Sequence, residues 1–402
     1  MDPIAKESVF IAGAGPVGCS IALYLARHDI PVVLLESEAQ LPLDLRASTF
    51  HPSTLDMLET LEVAGPLIEQ GLVAQTYQYR DRRTGEAAIF DLSMIADETR
   101  FPFRLQCEQY RLTQIIVERL KAFPHVQVLF NHRVEQVEQT ADGVTVLAES
   151  PVEGFRKFTC TYLIGADGSN SRVRKALAIN FEGFTYPERF LVVSTPYDLG
   201  DLFPHLSYVN YVADTEEWCV MLRTPSLWRV LFPTPEETPD ADLLHDNFVQ
   251  ARLQHLTGMK TGFAIGHRTL YRVHQRVAQK WRVGRVLLAG DACHVNNPLG
   301  GMGMNGGVHD GFNLAEKLVR ILDGSGEEGL LDLYERQRRG ICVKFIQEHT
   351  IRNKAMLEDT SAQAQATRQA EFMRIAADPV AARKFMMRAR LIDSLREAAE
   401  IA

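Results

Sequence analysis

Short unbroken apolar runs alternate with amphipathic stretches along the first part of the chain. Val9-Phe10-Ile11-Ala12 and Val32 to Leu35 are four-residue apolar runs, the pattern of strands buried on both faces. Between them, from Pro16 to about Arg27, apolar positions recur at helical spacing. Arg111 to Lys121 repeats that spacing and predicts another helix. Val126 to Phe130, Val134 to Val137 and Val144 to Leu147 predict short strands, and Val286 to Ala289 a further buried one. Strands alternating with helices in this way point to an α/β fold with a parallel sheet.

Between these stretches the pattern changes. Phe190 to Ser194, Ser207 to Val212, Trp218 to Leu222 and Trp228 to Phe232 read as strands separated by proline-rich turns. Pro233 to Asp240 is a polar connector, Asp242 to Leu256 an amphipathic helix, residues 324–328 a turn, and the remainder to Ala402 helical. The expected organisation is interleaved. Residues 1–75, 103–180 and 282–340 form a discontinuous Rossmann-like βαβ domain, 76–102 and 181–281 a mixed-sheet domain lying over it, and 341–402 a helical C-terminus. Neither an internal repeat nor a low-complexity tract interrupts the chain.

Three of the apolar runs end in turns that carry chemistry. The first opens into Gly13-Ala14-Gly15-Pro16-Val17-Gly18, and Glu36 ends the second strand. A G-x-G-x-x-G between strand and helix, with an acid about 20 residues on, is the dinucleotide fingerprint. Gly13 permits the tight turn, Gly15 lets a pyrophosphate approach, Gly18 lets helix and strand pack, and Glu36 can accept from ribose hydroxyls. A ligand-free βα turn is the bland alternative. The second, residues 163–174, runs through Asp167-Gly168 to Ser171 and Arg174, which equally suits a plain turn. The third, residues 285–305, passes Gly290-Asp291, His294 and Pro298 to Gly300-Gly301-Met302-Gly303-Met304-Asn305 and enters an amphipathic helix. A glycine turn onto a helix start offers free N–H groups and a positive dipole end to an anion.

In this order the three motifs resemble the flavoprotein aromatic monooxygenases related to para-hydroxybenzoate hydroxylase, over roughly residues 5 to 345. The resemblance implies that Gly13, Gly15, Pro16, Val17, Gly18 and Glu36 bind the ADP half of FAD. It implies that Asp167, with Gly168, Ser171, Val173 and Arg174, contacts FAD and engages a nicotinamide cofactor. Asp291 is implied to bind the ribityl chain, and Pro298, Gly301, Gly303, Met304 and Asn305 to border the isoalloxazine ring. Arg46 matches a residue near the pyrophosphate, and Gln106 a flavin-contacting glutamine. The implied reaction is NAD(P)H-dependent hydroxylation of an aromatic or heteroaromatic small molecule by O2 through a C4a-hydroperoxyflavin. The rivals are an FAD oxidoreductase of the same fold that inserts no oxygen, and a flavin-binding protein without turnover. NADH and NADPH are not separated by any motif.

Composition narrows the partners. A net charge of −8 argues against nucleic acid. The six cysteines are scattered without a C-x-x-C, which argues against a disulfide framework or zinc site and suits a reducing cytoplasm. No signal pattern precedes Val9, and no apolar run reaches transmembrane length. The C-terminal basic residues Arg383, Lys384, Arg388, Arg390 and Arg396 alternate with apolar ones and read as a solvated helix face, with a homodimer surface as the minority reading.

Hydroxylation of a phenol-like ring calls for a base or proton relay near the substrate and a closed apolar pocket. Catalytic candidates are His51, Tyr211 and Pro298. His51 follows Arg46 but also suits a capping role. Tyr208 and Tyr211 stand three positions apart on a predicted strand and so face opposite ways. Arg223 is either a substrate-carboxylate partner or a surface ion pair. His294 reads as orienting its loop, Cys293 as a small buried thiol, and Asn296-Asn297 as substrate contacts or loop caps.

Overall fold

The computed structural model describes residues 8–43, 45, 47–359 and 361–402; Arg46 lies outside them. Val9–Ala12 is buried along its whole length because strands flank it on both sides. It pairs in parallel with Tyr162–Gly165 and with Val32–Leu35, which pairs onward with Val126–Leu129. Val286–Leu288 joins in parallel beyond Tyr162–Gly165, and Arg282–Val283 closes that edge antiparallel. The first helix, Pro16–Ala26, packs against Met302–Leu322 and Gln109–Leu120 on one face of this six-stranded sheet. On the other face Phe158, from the antiparallel trio Arg133–Gln139, Val144–Ser150 and Gly154–Cys160, sets its ring 5.6 Å from Phe10. One apolar core joins these layers.

The second body is an eight-stranded mixed sheet. Its long central pair, Phe181–Thr195 and His267–Ala278, runs antiparallel. The register shifts between Thr185 and Arg189, and beyond that bulge the side chains alternate between the two faces. Phe190 and Val192 face Tyr77, Tyr79 and Tyr211, while Leu191 and Val193 face the helix Asp246–Thr257. The C-terminal helices Ala362–Ala377 and Pro379–Ala389 cover the first of these faces. A small sheet of Thr49–Phe50, Arg104–Gln106 and Leu72–Ala74 sits where the chain passes between the two bodies.

Two element readings need correction. The helix expected over Asp242–Leu256 is two, Asp240–Leu243 and Asp246–Thr257, because His245 leaves helical geometry to cap the second, its Nδ1 accepting from Asn247 N at 3.3 Å. The strand His267–Ala278 went unread, since its basic and hydroxylated positions hide the two-residue period. Among the described residues no helix is long and apolar enough to cross a membrane.

Candidate active site

The glycine turn after the first strand is built for close approach. A Cβ on Gly13, whose φ is +103°, would lie 2.4 Å from the Ala166 carbonyl oxygen, so the two βα turns touch there. A Cβ on Gly18 would meet the Gly13 carbonyl at 2.0 Å. Gly15 is different: nothing lies within 4 Å of where its Cβ would be. It heads the helix whose first turn contains Pro16 and Val17, and no side chain caps that helix. Open space above uncapped N–H groups is a cradle for a phosphate. Glu36 closes the turn by accepting from Ala14 N at 2.9 Å.

The other two motifs lock to this one. Asp167 accepts from the N–H groups of Arg172 and Val173 at 2.7 and 3.1 Å and from Ser171 Oγ. Burial raises its pKa, and these hydrogen bonds oppose the rise. Arg174 donates to the carbonyls of Ala292 and Ser169 at 2.9 and 2.8 Å, so this turn holds the Gly290–Ala292 turn in place. Asp291 itself is exposed on that turn. Cys293 is buried, and burial pushes its thiol well up in pKa, which makes it inert.

Beyond Asp291 the loop is fastened from below. Asn297 Nδ2 donates to the Thr350 carbonyl at 2.9 Å, and its N–H donates to Gln275 Oε1. Asn296 Nδ2 donates to the Asn297 carbonyl. Both amides therefore cap the loop, while Pro298 is left exposed on it. His294 Nε2 lies 2.9 Å from Asp310, which also accepts from Arg338 Nε at 2.8 Å. Burial disfavours the charged ring, but the neighbouring Cys342 and then the Asp310 carboxylate outweigh it and the His294 pKa rises. This buried trio ties the loop to the helix it leads into.

That helix, Met302–Leu322, starts at Gly301, a left-handed residue at φ +69°, with no side-chain cap. The N–H groups of its first turn, which contains Gly303 and Met304, point past the glycines. Asn305 stitches the start to the Thr49–Phe50 strand: its Oδ1 accepts from His51 N and its Nδ2 donates to the Thr49 carbonyl, both at 2.9 Å. Thr49 Oγ1 donates to Gln106 Oε1 at 3.0 Å. The Gln106 Nε2 is buried and has no partner. An orphaned amide donor beside an uncapped helix start asks for an acceptor from outside the protein. A planar anionic ring system such as a flavin fits that demand.

The catalytic candidates separate. His51 is wholly buried; its Nε2 reaches the Gly300 carbonyl at 2.9 Å and its Nδ1 meets Arg390 at 3.0 Å. Burial first, then Arg390 and Arg104, hold its pKa well below the ordinary value. It is a neutral ring with both nitrogens engaged, which suits positioning rather than proton transfer. Tyr211 is buried with its ring stacked 4.8 Å from Tyr79, and both line a narrow cleft with Asn353, Leu357 and Phe372. Tyr208 is exposed. Arg223 lies 3.7 Å from Asp198 on the far side of the sheet, which favours the ion-pair reading.

The solvated-face reading of the C-terminal basic residues also fails in part. Arg383 binds Asp97 and Glu98, Arg396 binds Glu98, and Arg390 is buried against Tyr77. Arg104 and Arg390, both buried against Tyr77, were not read as site candidates from the sequence. A signal existed for Arg104, which sits between Phe103 and Leu105, two positions before Gln106 and so on the same strand face.

Comparison with known proteins agrees with this geometry. The FAD binding domain family matches residues 6–349. The chain is 30% identical over 388 residues to para-nitrophenol 4-monooxygenase of Pseudomonas sp. (strain WBC-3), spanning 95% of this chain and 94% of that protein. It is 35% identical over 349 residues to 6-hydroxy-3-succinoylpyridine 3-monooxygenase of Pseudomonas putida (strain DSM 28022 / S16), spanning 85% and 86%. The crystal structure of p-nitrophenol 4-monooxygenase from Pseudomonas putida DLL-E4 superposes with a TM-score of 0.91 at 29% identity, covering 97% of this chain and 99% of that one.

Proposed function

Since the chain belongs to the FAD binding domain family and is an FAD-dependent aromatic monooxygenase, we propose that it draws electrons from NADH or NADPH and hydroxylates a small phenol-like or hydroxypyridine-like molecule with one atom of O2. The nitrophenol and hydroxypyridine named for its relatives support that substrate range. The alternative without oxygen insertion has no support among them. In this reading residues 1–75, 103–180 and 282–340 hold the cofactor, 76–102 and 181–281 cover it, and 341–402 complete the covering wall.

FAD, when bound, supplies the redox chemistry that amino-acid side chains lack, accepting a hydride and passing electrons to oxygen. The chain supplies placement. Gly15 and the start of the first helix receive the pyrophosphate, Glu36 the adenosine ribose, and Asp291 the ribityl chain. Gln106 Nε2 donates to the ring system, and the N–H groups at the start of Met302–Leu322 face negative charge on it. Asn305 fixes that helix start against Thr49 and His51. Tyr77, Tyr79 and Tyr211 present an apolar wall that excludes water from the reacting ring.

The observation that carries this reading is the uncapped helix start at Gly301 beside the orphaned Gln106 amide. The test is NAD(P)H oxidation by the FAD-loaded protein against phenols and hydroxypyridines under 18O2. A compound that accelerates oxidation and returns with one heavy oxygen is the expected result. Acceleration with an unlabelled product would overturn it.

A further inference from the structure

Arg104 and Arg390 are 286 positions apart in the chain and meet on one aromatic ring. Arg104 opens the strand Arg104–Gln106, and Arg390 follows the helix Pro379–Ala389. Their guanidinium carbons lie 4.4 and 4.6 Å from the Tyr77 ring centroid. Both residues are almost wholly buried, at 1% and 2% exposure. Nε and one terminal nitrogen of Arg104, and Nε of Arg390, have no hydrogen-bond partner. The side-chain partner of Arg390 is the neutral His51 ring. The charged and titratable groups felt most by Arg390 are Arg104 and the phenols of Tyr77, Tyr211 and Tyr79, with no carboxylate among them.

Such an arrangement is costly. A guanidinium does not give up its proton near neutral pH; burial and then the neighbouring Arg104 lower the Arg390 pKa only to about 10. Buried charges are normally paired. Arg338, equally buried, shows the usual arrangement by binding Asp310. Two adjacent cations with orphaned donors leave both charge and hydrogen bonds for a ligand to supply. Their place in the fold says which ligand. They border the aromatic face made by Tyr77, Tyr79 and Tyr211, and His51 links Arg390 to the Gly300 carbonyl at the start of the proposed flavin loop.

We propose that Arg104 and Arg390 are the anion-recognising end of the substrate site and hold an oxyanion carried by the aromatic substrate. This rests on the hydroxylase reading above. Arg390 makes the C-terminal helices part of substrate selection, and His51 is a positioning residue that holds Arg390 against the flavin loop.

Equilibrium binding to the FAD-loaded enzyme without NAD(P)H tests the pair separately from turnover. 4-Nitrophenol is the first probe, because it ionises near neutral pH and its anion absorbs at a distinct wavelength. The expected result is a bound probe whose pKa falls by one unit or more below that of the free probe, a tenfold preference for the anion. 4-Hydroxybenzoate is expected to bind at least tenfold tighter than 4-hydroxybenzamide. Arg390→Met and Arg104→Met are each expected to bring both preferences towards unity while FAD stays bound. An unshifted probe with equal affinity for acid and amide overturns the proposal in the unaltered enzyme, whatever the variants do. So does failure of both anionic probes to bind at millimolar concentration. Variants that lose FAD but keep the anion preference would assign the pair to the flavin and also overturn it. A neutral phenol hydroxylated with label from 18O2 but without anion preference would sink this inference and leave the hydroxylase reading standing.

Discussion

Gly13 and Gly15 stand two positions apart and do opposite things. Gly13 has a left-handed backbone and no room for a Cβ, with the Ala166 carbonyl 2.4 Å from that point. Gly13→Ala is expected to cost about 2–4 kcal/mol of stability, from the backbone conformation and the clash together, read as a lower urea midpoint. Gly15 has an ordinary extended backbone and open space in front of it. Gly15→Leu should leave the apoprotein within about 0.5 kcal/mol of the parent and weaken FAD binding at least tenfold, read by quenching of FAD fluorescence. A Gly15→Leu protein that binds FAD normally would mean the phosphates lie elsewhere. These glycines were legible in the sequence because what they satisfy is local: a turn, a helix start and a nearby strand. Arg390 was not, since its neighbours in sequence match those of the half-buried and exposed arginines around it. Only its packing on Tyr77 sets it apart.

At the scale of elements, the helix Met302–Leu322 reaches the proposed flavin loop by lying almost on the first helix. Gly307 makes that possible: a Cβ there would meet Val17 Cγ2 at 2.9 Å and Gly290 Cα at 3.1 Å. Gly307→Ala gains helix propensity of about 1 kcal/mol but forces the two helices apart. We expect a net loss of about 1–3 kcal/mol, partly restored by Val17→Ala in the same chain. Thermal unfolding of the two single variants and the double variant measures this coupling; strictly additive effects would show that the helices do not depend on that contact. The existence of both helices was readable from apolar spacing. Their contact was not, because Val17 and Gly307 are brought together by the parallel sheet between them in the chain. The strand His267–Ala278 escaped for a related reason: it is the partner Phe181–Thr195 that defines it, along nearly its full length.

Over the whole molecule, burial of neutral histidines links stability to pH. His309 and His349 have pKa values lowered to about 3, by burial first and then by Arg338 and Arg352 respectively. An unfolded histidine titrates at about 6.5, so between pH 6.5 and 3 the unfolded chain binds protons that the folded one refuses. Stability therefore falls as pH drops through that window, by about 2 kcal/mol per histidine at pH 5. His294 has the opposite sign: its raised pKa adds stability fully present below pH 6.5 and lost as pH rises through the folded value. Asp310, lowered by Arg338 and His294 against the opposing effect of burial, gives stability present above the unfolded carboxylate range and lost as pH falls through the folded value. The expected result is a urea midpoint that declines from pH 6.5 to 5. Glu217, raised by burial to about 7, acts against this decline, so the pair is isolated by comparing the parent with a His309→Gln, His349→Gln variant; an unchanged slope would show that the two histidines are protonated in the folded protein.

What the sequence determined by itself was the local grammar: the alternation of strand and helix, the three glycine- and aspartate-bearing turns, and from their order the cofactor and the class of reaction. Each of these depends on residues close together in the chain, whose spacing sets backbone geometry directly. What only the tertiary structure decided was the cluster proposed here as the far wall of the site. Tyr77, Arg104, Tyr211 and Arg390 belong to separate strands and to the loop after a C-terminal helix. They become neighbours only when the eight-stranded sheet is paired and the C-terminal helices close on it. Burial then turns ordinary surface-type residues into an unpaired charge, and burial is a property of the packed molecule that no stretch of sequence carries.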